Sequence, residues 1–368
     1  MSAKILVIGG GLSGLTAARA LHRAGISFRL IEARDRLGGR ILSVDTTGSS
    51  AGPFDLGPSW FWPGMQADFG HFVGAEGVES FPQADAGDLL FQRGPGFVQR
   101  HPGMRQEPPS MRMIGGTTAL IAALACDLPP DTINLNTRAT QVTLTSSGVD
   151  VLTDKGRLSA HHVLLAVPPR LLAAHVSFDP PMPDPVIRLW QDTPTWMAPH
   201  AKFVAVYDHA FWRDDGLSGA ARSATGPLIE IHNATTADGQ AALFGFVGIP
   251  AEARARVGEA ALIAACVQQL GHLFGPPAVR PRATLYKDWA ADPLTATPDD
   301  LTAGNHPMPT RHPWVEGPWH RHLTLIGSET CRTEPGYLAG AHEAAEQGFA
   351  ALLATLDPQP VRKETPCA

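Results

Sequence analysis

Gly9, Gly11 and Gly14, followed by Glu32, have the types and the spacing to hold a dinucleotide. An anion needs backbone amides that approach it without an intervening Cβ, and a ribose needs a carboxylate that can accept from two hydroxyls. In Gly9-Gly10-Gly11-Leu12-Ser13-Gly14 the first glycine permits a tight turn and the second lets the backbone approach a pyrophosphate. The third lets a helix pack closely on a strand. Amides at the start of that helix face the anion, and the helix dipole favours it. Glu32 stands 21 residues beyond Gly11, at the end of the next strand.

The elements that must position these residues are readable around them. Residues 3–8 form an unbroken Ile/Val-rich run ended by glycine, the pattern of a buried strand. Leu12 to Ala24 is alanine-rich and stops at Gly25, and Phe28 to Glu32 is the next strand. Such a β-α-β unit serves NAD and FAD equally. The next segment, Glu32-Ala33-Arg34-Asp35-Arg36-Leu37-Gly38-Gly39-Arg40, has a second glycine pair flanked by arginines. It offers charge and close backbone to a longer cofactor; taken alone, Arg34, Arg36 and Arg40 also read as a solvated basic turn.

The chain has 368 residues, 44% apolar and 17% charged, with a net charge of −6. That describes a globular protein large enough for two domains, without the basic runs that bind nucleic acid or anionic membranes. No window approaches the roughly 20 apolar residues of a membrane helix. The four cysteines are scattered, as expected of reduced thiols in a cytoplasmic protein. Residues 64–111 are dense in Gly and Pro and read as loops with short elements such as Leu89–Phe91. Strand-like runs follow at 133–135, 141–145, 149–153 and 162–167, the last stopped by Pro168-Pro169. Lys202 to Tyr207 reads as a half-exposed strand, as does 243–247; 252–274 reads as one amphipathic helix and 292–318 as a long loop. A strand at 323–326, a glycine turn and a helix at 337–353 repeat the opening topology. His161-His162, His306, His312, His320 and His322 have no metal-ligand spacing, so no metal site is expected.

Gly9 to Arg40 resembles the N-terminal signature of the flavin-containing amine oxidase superfamily, which includes monoamine, polyamine and L-amino acid oxidases and histone lysine demethylases. Four further blocks agree in the family's order. Phe54–Trp60, with Gly57, Pro58, Ser59 and Trp60, resembles the segment that lies against the isoalloxazine. Gly115-Gly116-Thr117 with Ala139 and Val142 resembles the region over the adenine end. Val163–Pro168 with Phe178–Pro183 resembles the strand and exit that follow. Gly327–Thr330 and Pro335–Ala341, containing Ser328, Glu329, Tyr337 and Leu338, resemble the C-terminal flavin block. The likeness covers most of the chain except residues 64–111.

The resemblance implies FAD, bound in a Rossmann-like α/β domain. Lys202, in Ala201–Tyr207, matches the family's flavin-facing lysine, which holds a water near flavin N5; otherwise it is an ordinary lysine on an exposed strand face. Tyr337 matches an aromatic wall beside the flavin that aligns the amine. Glu329 matches a residue at the ribitol or pyrophosphate, or is a helix-start carboxylate. Trp289 matches the tryptophan before a flavin-facing loop, or is core. Between Asp292 and His306 there is no cysteine, Tyr or Phe, so the flavin is expected to be noncovalent and the aromatic cage needs His306 or Trp314. The short 64–111 segment leaves the cavity open or closed by another subunit in a homo-oligomer. Arg222 and Arg332 are both open as contacts for a substrate carboxylate.

The expected architecture is α/β. Residues 1–63, 112–183 and 291–360 form an FAD-binding domain with a central parallel sheet. Residues 64–111 and 184–290 form a smaller α+β substrate domain with a mixed sheet, and 361–368 form a polar tail. The implied reaction is oxidation of an amine C–N bond, with hydride transfer to flavin N5 and reoxidation by O2. Two other readings stay open on this fold: a desaturase or NAD(P)H-dependent reductase, and a noncatalytic flavin-stabilised partner protein.

Overall fold

The computed structural model describes residues 4–46, 52–103, 105–301 and 306–356; the expected polar tail lies outside them. Ile5–Ile8 is buried at every position and forms the middle of a five-stranded parallel sheet. The order is Leu323–Leu325, His162–Leu165, Ile5–Ile8, Phe28–Ile31, Ile133–Asn134. Parallel strands need cover on both faces, and alternate side chains supply it here. Ile5, Val7, Leu30 and Leu164 enter one core with the helices Leu12–Arg23, Thr118–Cys126 and Leu338–Leu356. Leu6, Ile8, Ile31 and Leu165 enter another with a four-stranded sheet running Gly156–Ala160, Gly148–Thr153, Ala139–Thr145, Ser177–Asp179. Each fully buried side chain of this size stabilises by about 1.5–3 kcal/mol. A one-residue slip would exchange the two sets, so the register Ile5–Phe28 and Ile5–His162 is strongly fixed.

The second large sheet is mixed and seven-stranded: Ala283–Asp288, Ala201–Tyr207, Ala241–Val247, Leu228–Asn233, Leu217–Ser223, Asp88–Gln92, Gln99–His101. The strand Ala201–Tyr207 is buried at all seven positions, not half-exposed as its alternation suggested. Phe203, Ala205 and Tyr207 pack with Cys266, Leu270 and Phe274 of the helix Glu259–Phe274. Val204 and Val206, on the other face, pack with Phe54 and Leu56 from the nucleotide half. Lys202 is on that second face, which places it between the two halves.

Several other expectations change. The helix expected over 252–274 is two, Ala251–Val257 and Glu259–Phe274, bent by 102° at Gly258, whose φ is +82°. Among the described residues no single helix is long and apolar enough to cross a membrane. The loop expected after residue 64 contains the helix Ala67–Ala75. Its Phe69 and Val73 pack with Leu15 and Leu21 rather than with the mixed sheet, and a Cβ on Gly70 would come within 2.9 Å of Pro63. Gly70, which looked like a breaker, is what permits this approach. Pro168-Pro169 ends a strand and also opens the helix Pro169–His175, whose first turn needs no amide from proline. A further helix, Asp184–Asp192, buries Val186 and Trp190 against the four-stranded sheet, not the seven-stranded one expected for this segment.

Candidate cofactor and active site

One continuous cavity of about 410 Å³ runs between the two halves, from Glu32, Arg138 and His175 at one end to Lys202, Trp60, Trp196 and Tyr337 at the other. At the first end the wall is largely backbone. Gly9 has φ +109°, and a Cβ there would lie 2.6 Å from the Ala166 carbonyl. A Cβ on Gly14 would overlap the Gly9 carbonyl. No side chain caps the N-terminus of Leu12–Arg23. The Ser13 hydroxyl donates to the Ile326 carbonyl, leaving Gly11, Leu12 and Ser13 to present amides to the cavity. Glu32 is 7% exposed and accepts from Gly10 N at 2.7 Å and Arg34 N at 2.8 Å. One oxygen is held by each amide, so spare lone pairs remain for ribose hydroxyls. These residues fit an adenine dinucleotide: a cradle closed to any Cβ, free helix amides and an aimed carboxylate.

The three arginines are not a solvated turn. Arg34 donates to both Asp292 oxygens at 2.9 and 3.1 Å and to Thr295 Oγ1 at 2.9 Å. Arg36 donates to the carbonyls of Leu37, Gly39 and Ile41, which pins the glycine turn. Arg40 donates to Glu329 at 2.6 and 3.0 Å, Ser328 Oγ at 3.0 Å and the Trp196 carbonyl at 3.2 Å. Burial raises the Asp292 carboxyl, but Arg34 and Lys287 outweigh it and hold the group below its usual range. Glu329 behaves likewise under burial opposed by Arg40. Glu329 is 0% exposed and forms no part of the cavity wall, so it positions Arg40 instead of reaching into the cavity.

At the far end the wall is made of side chains. Lys202, 3% exposed, donates to Ser59 Oγ at 2.6 Å and Gly57 O at 3.1 Å, and its Nζ lies 4.2 Å from the Phe244 ring centroid. Burial lowers its pKa from 10.5 to about 7; Asp55 opposes that fall and Arg112 adds to it. Trp289 anchors its indole on the Leu56 carbonyl at 2.9 Å, and Trp60 donates to Gln83 at 2.8 Å. Tyr337 has His306 at 4.8 Å, Trp62 at 6.2 Å and Trp196 at 6.3 Å between ring centroids.

The cavity wall brings together Gly9, Gly11, Leu12, Ser13, Glu32, Ala33, Arg34, Gly39 and Arg40. It also includes Gly57, Pro58, Ser59, Trp60, Ala139, Lys202, Trp289, Ser328, Tyr337 and Leu338. Gly14 lies behind the wall, as a packing glycine does. Of the two aromatics weighed for the cage, His306 stands beside Tyr337, whereas Trp314 packs against the four-stranded sheet and accepts from Trp190 Nε1. Trp62 and Trp196 also line the cavity and were not expected there. The alternation Trp60-Phe61-Trp62 signals one of them, with Phe61 turned to the core; Trp196, in a loop, gives no local signal. Neither Arg222, paired with Glu230 at 3.1 Å, nor Arg332 reaches the cavity. His162 donates or accepts at both ring nitrogens inside the parallel sheet, and burial pushes its pKa down to about 4. Among the described residues no group of three or more His, Cys, Asp or Glu is arranged to hold a metal.

Comparison with known proteins gives a consistent answer. Residues 97–348 match the family profile of flavin containing amine oxidoreductases, and residues 7–74 that of an NAD(P)-binding Rossmann-like domain. A Mycobacterium tuberculosis protein bearing the name flavin-containing monoamine oxidase AofH is 29% identical over 254 residues, 66% of this chain and 52% of that protein. Putrescine oxidase of Kocuria rosea is 28% identical over 204 residues, 50% of this chain and 40% of its own length. The chain thus spans about half the length of the curated relatives it matches. Among solved structures, cyclohexylamine oxidase from Brevibacterium oxydans superposes with a TM-score of 0.80 at 20% identity, covering 97% of this chain and 100% of that one. Wild-type putrescine oxidase bound to putrescine superposes at 0.78 and 22%, covering 96% and 99%. These two likenesses show the fold. With the family profile spanning most of the chain, the protein belongs to the flavin containing amine oxidoreductases.

Proposed function

We propose that this protein uses noncovalently bound FAD to oxidise the C–N bond of an amine. The observation that carries the reading is a single cavity with a ribose-binding carboxylate, Glu32, at one end and a buried lysine facing an aromatic wall at the other. FAD, held by these residues, would supply a two-electron acceptor for the hydride from the amine α-carbon, with O2 as the final acceptor giving hydrogen peroxide. The nitrogen loses a proton as the α-carbon loses hydride, and the resulting imine is hydrolysed by water.

The chain's own residues do the positioning. Tyr337, Trp196 and Trp62 form aromatic faces that orient an amine nitrogen and exclude bulk water, with His306 packed against Tyr337. Lys202, buried and bonded to Ser59, is available near neutral pH in its uncharged form, able to hold a water or a proton at Nζ. Gly11, Leu12 and Ser13 would hold the pyrophosphate and Glu32 the ribose, while the Arg40–Glu329 pair ties residue 40 to the turn at 328–329. Neither Cys126, Cys266 nor Cys331 lines the cavity, which supports noncovalent attachment.

The test is anaerobic bleaching of the flavin's visible band across arylalkylamines, cycloalkylamines, diamines, amino acids and NAD(P)H, followed by peroxide measurement in air. Bleaching by amines with one peroxide per turnover is expected. Bleaching by NAD(P)H alone would replace the reading with a reductase.

A further inference from the structure

The turn that brings Trp196 to the cavity has a backbone its residues do not favour. Met197 has φ +64°, and among the described residues the one other non-glycine position with a positive φ is Asn136. Asparagine tolerates the left-handed region, because its short amide can bond locally. Methionine has no such compensation, so surrounding contacts must hold it there. Trp196 and Met197 both line the large cavity, and the Trp196 ring lies 4.2 Å from His306 and 6.3 Å from Tyr337 between centroids.

Two sets of contacts hold this turn. One is the Arg40–Glu329 pair: Trp196 N donates to Glu329 at 3.3 Å, and the Trp196 carbonyl accepts from Arg40 at 3.2 Å. The other is Asp300, which is 2% exposed and forms no part of the large cavity's wall. Its two oxygens are divided. Oδ2 accepts from Thr297 N at 3.0 Å and Thr297 Oγ1 at 2.9 Å, closing the short helical turn Pro298–Asp300. Oδ1 accepts from Thr195 N at 3.0 Å and Arg170 Nη1 at 2.5 Å. Arg170 also donates through Nε to the Gln191 carbonyl at 2.7 Å, at the end of the helix that runs into the Trp196 turn. Asp300, Arg170, Thr195 and Met197 share the lining of a second cavity of about 10 Å³ beside the turn.

Capping the turn at 298–300 takes one carboxylate oxygen. Asp300 gives the other to a residue 105 positions earlier and to a guanidinium. A charged acceptor makes a stronger bond than a neutral one, and this one grips the chain two residues before the strained Met197. We propose that Asp300 is a positioning residue for Trp196: bonded to Thr195 N and anchored by Arg170, it holds the 195–197 turn in the conformation that presents the Trp196 ring to the amine. This rests on the reading that the Lys202 end of the cavity receives an amine.

The amide of Asp300→Asn accepts at one atom and cannot serve Thr195 and Thr297 together. In the FAD-loaded protein it should raise KM by up to about tenfold, the limit set by loss of the ring, with kcat changed by less than about threefold and flavin content unchanged. In a Trp196→Ala background it should raise KM no further. Thr297→Val removes a hydroxyl from the cap alone, so it should lower Tm and leave KM in place. Arg170→Gln loosens the same carboxylate without touching the cap. It should raise KM in the same direction, and it keeps the test available if Asp300→Asn fails to fold.

A second readout needs no turnover. The chain has eight tryptophans, and after fluorine labelling of tryptophan the Trp196 resonance is the one missing from Trp196→Ala. It should move in Asp300→Asn and Arg170→Gln and stay in place in Thr297→Val. An unmoved resonance, an unchanged KM, or a KM effect that adds to that of Trp196→Ala overturns the proposal; so does an equal response to Thr297→Val. Failure of amines to bleach the flavin would remove the proposed reaction while leaving the resonance readable.

Discussion

At the Glu32 end of the cavity the wall is backbone, drawn mainly from one stretch of about 30 residues. At the Lys202 end it is side chains, gathered from the segments around residues 60, 196, 202, 289 and 337. The first end tolerates no added atoms at Gly9 and Gly14, which have carbonyls where a Cβ would go. The second tolerates changes of ring but not of charge, since Lys202 is wholly buried and bonded to one hydroxyl and one carbonyl. On the proposed reading, binding thus rests on local backbone geometry, and chemistry on side chains gathered from distant segments.

The largest expected effect tests the backbone end. Gly14→Ala should abolish FAD retention, because the methyl overlaps the Gly9 carbonyl and forces the helix from its strand. The ratio of flavin to protein absorbance after purification reads it; normal flavin content in this variant would show that the cradle is softer than described.

Next comes the other end. Lys202→Met should keep FAD but lower turnover by about 10²–10⁴, the range for a positioned acid–base group. Stopped-flow reduction and reoxidation, measured separately, show which half-reaction suffers. Unchanged kinetics in both would remove Lys202 from the chemistry. Trp196→Ala should have a smaller effect, raising KM by about tenfold with kcat less affected, because it removes one face of the cage and leaves the others. An equal fall in kcat would instead make Trp196 part of the structure that holds Arg40, whose guanidinium donates to the Trp196 carbonyl.

This contrast also explains what the residues reveal unaided. The Gly9–Glu32 unit is legible because each residue answers a local steric demand, and strand, helix and acid fall in one short window. Trp196 is not, because its place beside Tyr337 and His306 exists only after distant segments meet. The strand Ala201–Tyr207 shows the same limit. Its alternation of Lys202, Val204 and Val206 with Phe203, Ala205 and Tyr207 correctly separates two faces. Alternation cannot say that the second face is covered by Phe54 and Leu56 from the other half, and this covering is what buries Lys202. Glycine misleads in the opposite sense: Gly70 and Gly74 hide a helix whose Phe69 and Val73 are buried.

The smallest effect is one of slope. Lys202 titrates at about 7 in the folded protein and near 10.5 when unfolded, because burial penalises its charge. Between those values the unfolded chain binds a proton that the folded protein lacks, so Lys202 makes stability rise with pH across that window. Below about 7 both states are protonated and the full penalty persists. Lys202→Met removes this dependence, although it leaves Ser59 and the Gly57 carbonyl without their donor. Urea unfolding of the FAD-free proteins between about pH 6 and about pH 9 should therefore show wild type gaining on the variant, by at most about 1.4 kcal/mol per pH unit. The gain should begin near neutrality. Parallel stability curves would mean that Lys202 stays charged when buried, and that Asp55 outweighs desolvation at this site.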